Sequence, residues 1–362
     1  MLKKPPKISG ESDMSDKENL NGLLSEMRRV DDKIMEFIGE RLRISAKIGE
    51  LNNECPDSMF STAERFRSMG DMVGMNGKAA EELCRILTEE SAIVRTLSHE
   101  DESPKLKVAV VGGQGQMGRA MGRLLKDSGH EITVIDPGAK NNLSLADTAD
   151  SDVVVIATPI SAVSDILSEL DGICREDALI FDISSLKSPF VNKLKDLAEH
   201  RKVCSVHPMF GPAVRSMHGR NLVICDCGSE DAVNAAKTFL DGRGADIRII
   251  PVDEHDRYMS YVLGLSHIVN IAFFTVLEKS GIPFKELRSL SSTTFDKMTD
   301  TIMSVALEEP ELYHEIQNLN RDRDAMLSEL KDAIASVSEA AASEDSENFT
   351  ELMLRGREYL EG

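Results

Sequence analysis

The apolar residues of the first hundred positions follow a helical period. Between Lys17 and Asn53 they recur mainly at steps of three and four without a proline, which is typical of one long helix. A helix of that length is stable when it packs along another long helix. Shorter helical patterns follow over residues 61–72 and 78–98, and a charged stretch with Pro104 ends the segment.

From Lys107 onward, short continuous apolar runs alternate with helical patterns. Such runs are typical of strands that are buried on both faces of a parallel sheet. The predicted strands are Lys107–Val111, Glu131–Ile135, Asp152–Thr158, Ala178–Ile183 and Val203–Val206. This alternation predicts an α/β Rossmann-like, doubly wound parallel sheet that binds ligands at the carboxyl ends of its strands.

After His255 the strand-like runs stop and only helical patterns remain. The expected helices are Tyr258–Ser280, Lys285–Thr293, Asp296–Glu308, Glu311–Ser338 and Asp345–Leu360. The first 15 residues are polar and contain two prolines, so we expect them to be disordered. The predicted order is therefore a disordered segment 1–15, a helical domain 16–99, a linker 100–105, a Rossmann-like domain 106–252 and a helical domain 253–362.

The composition narrows the partners and the compartment. The net charge is −20, and such an acidic surface disfavours nucleic acid and anionic membranes as partners. No stretch approaches the length of apolar residues that a membrane span needs. The six cysteines are scattered without a secretory h-region, so we expect reduced thiols in the cytoplasm. Cys225 and Cys227 lack a second ligand pair at zinc spacing, so no metal site is expected.

A glycine-rich turn follows the first predicted strand. Its glycines stand at G-x-G-x-x-G spacing before an apolar helix, where backbone N–H groups bind a pyrophosphate. Asp136 ends the second strand, and a carboxylate there binds a ribose and repels a 2′-phosphate, which favours NAD over NADP. The alternative is a glycine turn in a domain that binds no nucleotide. The residues expected to contact the cofactor are Gly113, Gly115, Gln116, Met117, Gly118, Asp136, Thr158 and Pro159.

Polar residues stand at the ends of the third, fourth and fifth predicted strands. The third ends in Thr158-Pro159, the fourth runs into Ser184-Ser185-Leu186-Lys187, and the fifth ends at His207 in the phrase HPMFGP. These ends share the ligand-binding edge of a parallel sheet. His207 is therefore the candidate general base, with a purely structural hydrogen bond as the alternative.

These motifs resemble those of the prephenate dehydrogenases. GGQGQMGR, ATPI, DISSLK, HPMFGP and VDEHD occur here in the family's order, and HPMFGP beside the glycine motif is specific. The resemblance covers about 250 residues. It implies transfer of a hydride from C4 of prephenate to NAD with loss of carbon dioxide, which gives 4-hydroxyphenylpyruvate in tyrosine biosynthesis.

The same resemblance implies roles for individual residues. His207 takes up the hydroxyl proton, Ser185 hydrogen-bonds the hydroxyl or His207, and Lys187 lies near the nicotinamide or a substrate carboxylate. His267 lies near the substrate side chain, where tyrosine acts as an inhibitor in the family, and a histidine merely packed on a helix face is the alternative. The C-terminal helices form a dimer interface and close the active site.

One position departs from the family pattern. Ser304 stands six residues before Pro310, where family members commonly carry an arginine that binds a substrate carboxylate. A carboxylate without a counter-charge is costly in a closed pocket, so another cation must serve or the substrate binds differently. The candidates are Arg257, Lys297, Arg321 and Arg323.

The N-terminal segment resembles the all-helical chorismate mutase domain, in which two chains intertwine. The resemblance rests on VDDKIMEFIGERLRISAKIGELN, residues 30–52, and it places Arg41 and Glu64 at family site positions. Cations stabilise the anionic transition state of that reaction. Leu24, Asn52 and Ala63 stand where the family has cations, and Arg95 stands where Gln or Glu is common. We therefore expect weak or absent mutase activity and a role in assembly, unless nearby cations substitute, namely Arg28, Arg29, Lys47, Arg65 or Arg67.

Together these features predict an NAD-dependent prephenate dehydrogenase fused to a chorismate-mutase-like domain and assembled as a homodimer. Two alternatives stay open. One is an arogenate dehydrogenase, whose substrate carries an amino group in place of the side-chain keto group. The other is a non-catalytic, tyrosine-sensing or scaffold protein that kept the fold.

Overall fold

The computed structural model describes residues 11–51, 63–98, 104–241 and 244–362. The chain divides into two compact units, an N-terminal helical unit and a second unit that begins at Lys105. The helices of the first unit are α1 (Glu11–Leu51), α2 (Ala63–Met72) and α3 (Gly77–Ser98). Helix α1 begins at Glu11, inside the segment that we expected to be disordered, so that prediction is wrong for residues 11–15. The sequence allows this start because no glycine or proline lies between Gly10 and Gly22. Residues 1–10 lie outside the described part.

Helix α3 packs against both α1 and α2. The hydroxyl of Ser45 on α1 donates to the carbonyl of Ser91 on α3 at 3.0 Å. Gly70 allows α2 to approach α3, since a Cβ at this position would lie 2.7 Å from the Cβ of Ala80. In contrast, α1 leaves an apolar stripe exposed that includes Leu23 at 58% and Phe37 at 67%. Among the residues that the structure describes, α3 packs along part of α1 and this stripe of α1 stays uncovered.

The second unit is built on a seven-stranded sheet of order β2-β1-β3-β4-β5-β6-β7. The strands are β1 (Lys107–Val111), β2 (Glu131–Ile135), β3 (Val153–Ile156), β4 (Leu179–Asp182), β5 (Lys202–Pro208), β6 (Asn221–Asp226) and β7 (Asp246–Pro251). The predicted parallel, doubly wound sheet is confirmed for its first five strands. All four residues of β3 are buried, as expected for a strand covered on both faces.

The last two strands were missed, and one of them breaks the parallel arrangement. Strand β6 runs antiparallel to β5, with His207 opposite Val223. Parallel neighbours require a crossover, usually a helix, whereas the connection from β5 to β6 contains none. Strand β7 returns parallel to β6 after a helix and is largely exposed, so its sequence lacks the continuous apolar run of a buried strand.

Helices cover the sheet and then form the C-terminal part. Those among the strands are α4 (Gln116–Asp127), α5 (Ile160–Asp171), α6 (Val191–Ala198) and α7 (Glu230–Leu240). Those that follow are α8 (Val252–Met259), α9 (Ser266–Lys279), α10 (Phe284–Ser289), α11 (Thr293–Ala306), α12 (Pro310–Leu319), α13 (Arg323–Ala342) and α14 (Glu347–Glu361). A π-helical turn, Ser260–Leu265, joins α8 to α9.

The single helix predicted over Glu311–Ser338 is wrong, because it is two helices separated at residues 320–322. The side chain of the buried Asn320 accounts for the break. Its amide donates to the carbonyl of Asp256 at 3.0 Å, and its oxygen accepts from the N–H of Asp322 at 2.8 Å. An Asn side chain that binds the backbone in this way competes with the helical hydrogen bonds.

The helical run Val252–Lys279 is long and apolar enough, by length and composition, to cross a membrane. This differs from our expectation, which counted only uninterrupted apolar residues. The first turn of the run carries His255 and Asp256, and both side chains are buried. One helix of this kind is weak evidence for a membrane span, because the core helix of a soluble protein passes the same test.

Candidate active site

The glycine turn lies between β1 and α4 and leaves no room for side chains. Gly112 has φ +80°, and a Cβ on it would lie 2.5 Å from the carbonyl oxygen of Ala157. A Cβ on Gly118 would lie 2.3 Å from the carbonyl oxygen of Gly112. The left-handed turn therefore falls on Gly112, one residue before the motif glycine Gly113. Gly115 precedes the first residue of α4, so the free N–H groups of that helix face the turn.

Asp136 holds this turn from the neighbouring strand. One carboxylate oxygen accepts from the N–H of Gln114 at 3.0 Å, and the other accepts from the N–H of Gly138 at 2.7 Å. Since each oxygen has a second lone pair, the carboxylate can also accept ribose hydroxyls. The structure thus places Asp136 at the end of β2, next to the glycine turn, as its sequence position predicts.

A cavity of about 700 Å³ opens between these elements. It is mostly apolar, and its wall includes Gly112, Gly115, Asp136, Thr158 and Pro159. The hydroxyl of Thr158 is buried without a hydrogen-bond partner among the described residues. A glycine cradle, a strand-end carboxylate and an unpartnered hydroxyl around one apolar cavity fit a dinucleotide. Of the predicted cofactor residues, Gly113, Gln116, Met117 and Gly118 shape the turn or the helix start and do not line this cavity.

A second cavity, of about 310 Å³, lies at the carboxyl ends of β4 and β5. Its wall combines Ser185 and His207 from the sheet with His267 from α9, and Met117 reaches it from the glycine turn. The three predicted side chains Ser185, His207 and His267 therefore share one cavity. Tyr313 also lines it and packs on His267, with a ring-centroid separation of 4.3 Å.

His207 is oriented from behind by a second histidine. Its Nδ1 lies 2.9 Å from Nε2 of His255, and Nδ1 of His255 lies 2.7 Å from a carboxylate oxygen of Asp256. His207 is 4% exposed, and His255 is fully buried. Ser185 was expected to orient the imidazole of His207, but the hydrogen-bond partner of His207 Nδ1 is His255. The Ser185 hydroxyl remains on the cavity wall.

Asp256 is fixed by the loop that follows β4. Its carboxylate accepts from the N–H groups of Lys187 and Ser188, at 2.9 and 2.7 Å, and from the Ser188 hydroxyl. Burial raises the pKa of Asp256, but the hydrogen bonds from His255 and Ser188 outweigh it and lower this pKa to about 2. The carboxylate is therefore ionised throughout the neutral range.

Both histidines are held neutral. Burial lowers the pKa of His207 well below 6.5, and positive charge on His255 or Lys187 lowers it further. Burial also lowers the pKa of His255, although its hydrogen bond to Asp256 acts in the opposite direction. A neutral imidazole is the state that a general base requires.

Lys187 does not occupy the expected place. Its side chain is fully buried, and Nζ donates to Asp182 at 2.9 Å, to the Ser184 carbonyl at 2.7 Å and to the Val206 carbonyl at 3.0 Å. All three ammonium protons are therefore used inside the protein. Lys187 was expected near the nicotinamide or a substrate carboxylate, but its side chain turns inward to join the ends of β4 and β5 and lines neither cavity.

The π-helical turn sets the direction of His267. His255 and His267 are twelve residues apart, so in a regular α-helix they would be separated by about 120° around the axis. A π turn contains one residue more than an α-helical turn, so the twelve residues advance around the axis as eleven would in an α-helix. Eleven residues make about three full turns, and the angle between His255 and His267 falls to roughly 20°. The amide of Gln317 donates to the carbonyl of Gly264 at 2.9 Å inside this turn. His267 thus faces the side on which His255 contacts His207.

The cavity wall contains Ser304 and Glu308. No Lys or Arg is present among the described residues that line it. Arg321 instead donates to the carbonyl of Asp253, and Arg323 pairs with Asp324. Arg257 and Lys297 are exposed and lie outside the cavity wall. None of the four candidate cations therefore lines this part of the site.

In the N-terminal unit, Arg41 binds α3. Its guanidinium donates to the carbonyl of Leu87 and to the hydroxyl of Ser91. Glu64 is exposed on α2, and Leu24 and Ala63 lie at exposed positions. Asn52 and the side chain of Arg95 fall outside the described residues. The described contacts of Arg41 thus link two helices and do not include Glu64.

The cysteines described by the structure are free and buried. Burial raises the pKa of the Cys225 thiol to about 12, so this thiol stays protonated. Among the described residues, no group of three or more His, Cys, Asp or Glu side chains is arranged to hold a metal ion.

The sequence interpretation missed His255, Asp256 and Tyr313 as site residues. The phrase VDEHD was recognised as a family motif, yet it was given no chemical role. Its position could have indicated a role. His255 and Asp256 lie in the first turn of α8, which directly follows strand β7, close to the edge of the sheet where ligands bind.

The sheet, the glycine turn and the buried histidine define a dinucleotide-binding protein of the doubly wound class. Two family models match the chain: the prephenate dehydrogenase nucleotide-binding domain over residues 117–249 and the prephenate dehydrogenase dimerization domain over residues 251–355. The chain therefore belongs to the prephenate dehydrogenase family.

Relatives and solved structures agree with this assignment. The T-protein of Enterobacter agglomerans is 26% identical over 308 residues, which cover 82% of this chain and 81% of that protein. The T-protein of Haemophilus influenzae is 24% identical over 361 residues, which cover 96% and 94%. The crystal structure of a prephenate dehydrogenase from A. aeolicus with hydroxyphenyl propionate and NAD⁺ has a TM-score of 0.55 at 17% identity, covering 71% of this chain and 98% of that one. That similarity concerns the fold.

Proposed function

We propose that the chain catalyses the NAD-dependent oxidative decarboxylation of prephenate to 4-hydroxyphenylpyruvate. The observation that carries this proposal is a neutral, buried His207 that shares a cavity with Ser185 and His267, next to the glycine turn. Family membership and the names of its relatives support the same reaction. We assign residues 106–252 to the nucleotide-binding domain and residues 253–362 to the helical domain.

The residues that would hold NAD are the glycine turn, Asp136 and Thr158. NAD supplies the hydride acceptor when it is bound. His207 binds the 4-hydroxyl group of the substrate and takes its proton at Nε2. After carbon dioxide has left and the ring has become aromatic, His207 returns this proton to the phenolate oxygen. Ser185 donates a hydrogen bond to the same oxygen, and His267 contacts the side chain of the substrate.

Arogenate is the second candidate substrate. It carries an ammonium group where prephenate has a keto group, and the cavity wall contains Glu308, whose carboxylate attracts an ammonium ion. The purified full chain should be assayed with each substrate and NAD, by the absorbance of reduced nicotinamide. We expect kcat/KM to be higher for prephenate. Failure of both substrates to reduce NAD would contradict the proposed function.

We further propose that the N-terminal helices contribute mainly to assembly. The exposed stripe of α1 matches what a second copy of this helix would cover, and Arg41 is already engaged by α3. Consumption of chorismate by the full chain without NAD should be weak. A kcat near the typical enzyme value of about 10 per second would contradict this and restore a bifunctional assignment. In that case Arg41→Ala should remove mutase activity and spare dehydrogenation.

A homodimer and a cytoplasmic location complete the proposal. The family's dimerization domain covers the C-terminal helices, and buried free thiols suit a reducing compartment. Light scattering should give twice the chain mass.

We also propose tyrosine as an inhibitor that competes for the cavity at His267, and inhibition that persists unchanged in His267→Asn would contradict this.

A further inference from the structure

Behind His207, the imidazole of His255 is hydrogen-bonded to the buried carboxylate of Asp256, and this pair lines neither cavity. His255 is fully buried, Asp256 is 2% exposed, and neither residue lines either of the cavities described above. Burying a carboxylate is costly, and here it is held by two backbone N–H groups, a hydroxyl and an imidazole.

The hydrogen bonds fix the position of each imidazole proton. An ionised Asp256 only accepts, so Nδ1 of His255 carries a proton and its Nε2 is a free acceptor. That Nε2 faces Nδ1 of His207, which must therefore carry a proton. The remaining nitrogen of His207, Nε2, then has a free lone pair. This order follows from the direction of the chain of hydrogen bonds alone.

We propose that His255 and Asp256 are positioning residues that hold His207 in the Nδ1–H tautomer and share the positive charge when its Nε2 takes a proton. This inference rests on the proposed function, in which His207 accepts the proton of the substrate hydroxyl and later returns it. When Nε2 gains that proton, the Nδ1 proton shifts to Nε2 of His255, and the charge lies beside the Asp256 carboxylate. Both shifts reverse when the phenolate oxygen is reprotonated, so no proton is gained or lost overall.

The most informative variant is Asp256→Asn, which has nearly the same shape. The N–H groups of Lys187 and Ser188 both reach Oδ2 of Asp256, at 3.1 and 2.7 Å, whereas His255 contacts Oδ1. The amide oxygen therefore takes the Oδ2 position, and the NH₂ group faces His255 and donates to its Nδ1. His255 must then carry its proton on Nε2, and His207 must accept at Nδ1 and expose a protonated Nε2. The matched control is Asp171→Asn, because Asp171 also pairs with a histidine, His200, at 3.2 Å, but on the surface.

The first readout is ¹⁵N NMR of the full chain labelled at its histidine rings, recorded without substrate or cofactor. It reports the His207 tautomer directly, and His207→Asn identifies the signal. We expect protonated Nδ1 and free Nε2 in the wild type and in Asp171→Asn, and the reverse in Asp256→Asn. A wild-type His207 protonated on Nε2 would overturn the proposal, whichever substrate the enzyme uses.

The second readout is kinetic. Asp256→Asn should lower kcat by about 100-fold or more while KM changes less than about threefold, because the residue acts through His207 and not on the substrate. His255→Gln retains an acceptor for His207 but cannot take a proton, so it should keep the tautomer and lose about tenfold in kcat. Wild-type kcat in either variant would refute charge sharing. An inactive wild type with the expected tautomer would instead count against the proposed function alone.

Discussion

Replacing Lys187 by Met should destabilise the second unit strongly and leave substrate binding intact. Lys187 and Asp182 form an ion pair in which both side chains are fully buried. The ammonium group also satisfies the Ser184 and Val206 carbonyls. Without it, Asp182 is an unpaired buried charge, and removal of one partner of such a pair costs about 3–5 kcal/mol. For a unit of this size that corresponds to a fall in melting temperature of about 10 °C.

The chain supplies a matched control for this measurement. Lys195 forms an ion pair with Asp253, with side chains 42% and 53% exposed, and pairs of this kind contribute less than about 1 kcal/mol. Thermal unfolding followed by circular dichroism should therefore separate Lys187→Met clearly from Lys195→Met. The double variant Lys187→Met with Asp182→Asn should recover part of the loss, since no unpaired charge remains buried.

The opposite result would reinstate the role that family resemblance implies for Lys187. If Lys187 contacted the substrate carboxylate, Lys187→Met would raise KM and leave the melting temperature near that of Lys195→Met. The melting temperature of Lys187→Met, together with its KM measured below the unfolding transition, thus decides whether Lys187 is an internal cation or a substrate ligand.

Three further predictions concern the cofactor and the base. NAD should be used with a higher kcat/KM than NADP, and Asp136→Ser should narrow the ratio, because the carboxylate that repels a 2′-phosphate is removed; equal use by the wild type would contradict the placement of Asp136. His207→Asn should lower kcat by about two to four powers of ten, while the NAD affinity measured by isothermal titration calorimetry stays nearly unchanged. Burial lowers the pKa of His207 well below 6.5, positive charge on His255 and Lys187 lowers it further, and only Asp256 acts in the opposite direction. Therefore kcat should stay constant at neutral pH and decrease only as the pH falls well below 6.5; a decrease that begins above pH 7 would exclude this base.

Much of the fold could be predicted from the sequence because its signals are local. The long period of α1, the buried runs of β1 and β3 and the glycine turn each depend on neighbouring residues in the chain. The strand-end rule also placed Ser185 and His207 correctly at one edge, since the carboxyl ends of parallel strands must meet there. Strand β7 was missed because it is largely exposed and lacks a continuous apolar run. Strand β6 has a buried apolar run but follows β5 without a helix between them, so it breaks the alternation of strands and helices on which the prediction relied.

Only the tertiary structure decided which side chains of those motifs face the cavities. Ser185 and Lys187 are two residues apart, yet the first lines a cavity and the second is buried beneath it. Asp182 and the Val206 carbonyl draw the ammonium inward, and these groups come from different strands. Likewise, His255 meets His207 across 48 residues of sequence because α8 packs on β6 and β7, next to β5. The sequence determined the types of residue at the ligand edge, whereas long-range packing and hydrogen bonding determined their directions and protonation.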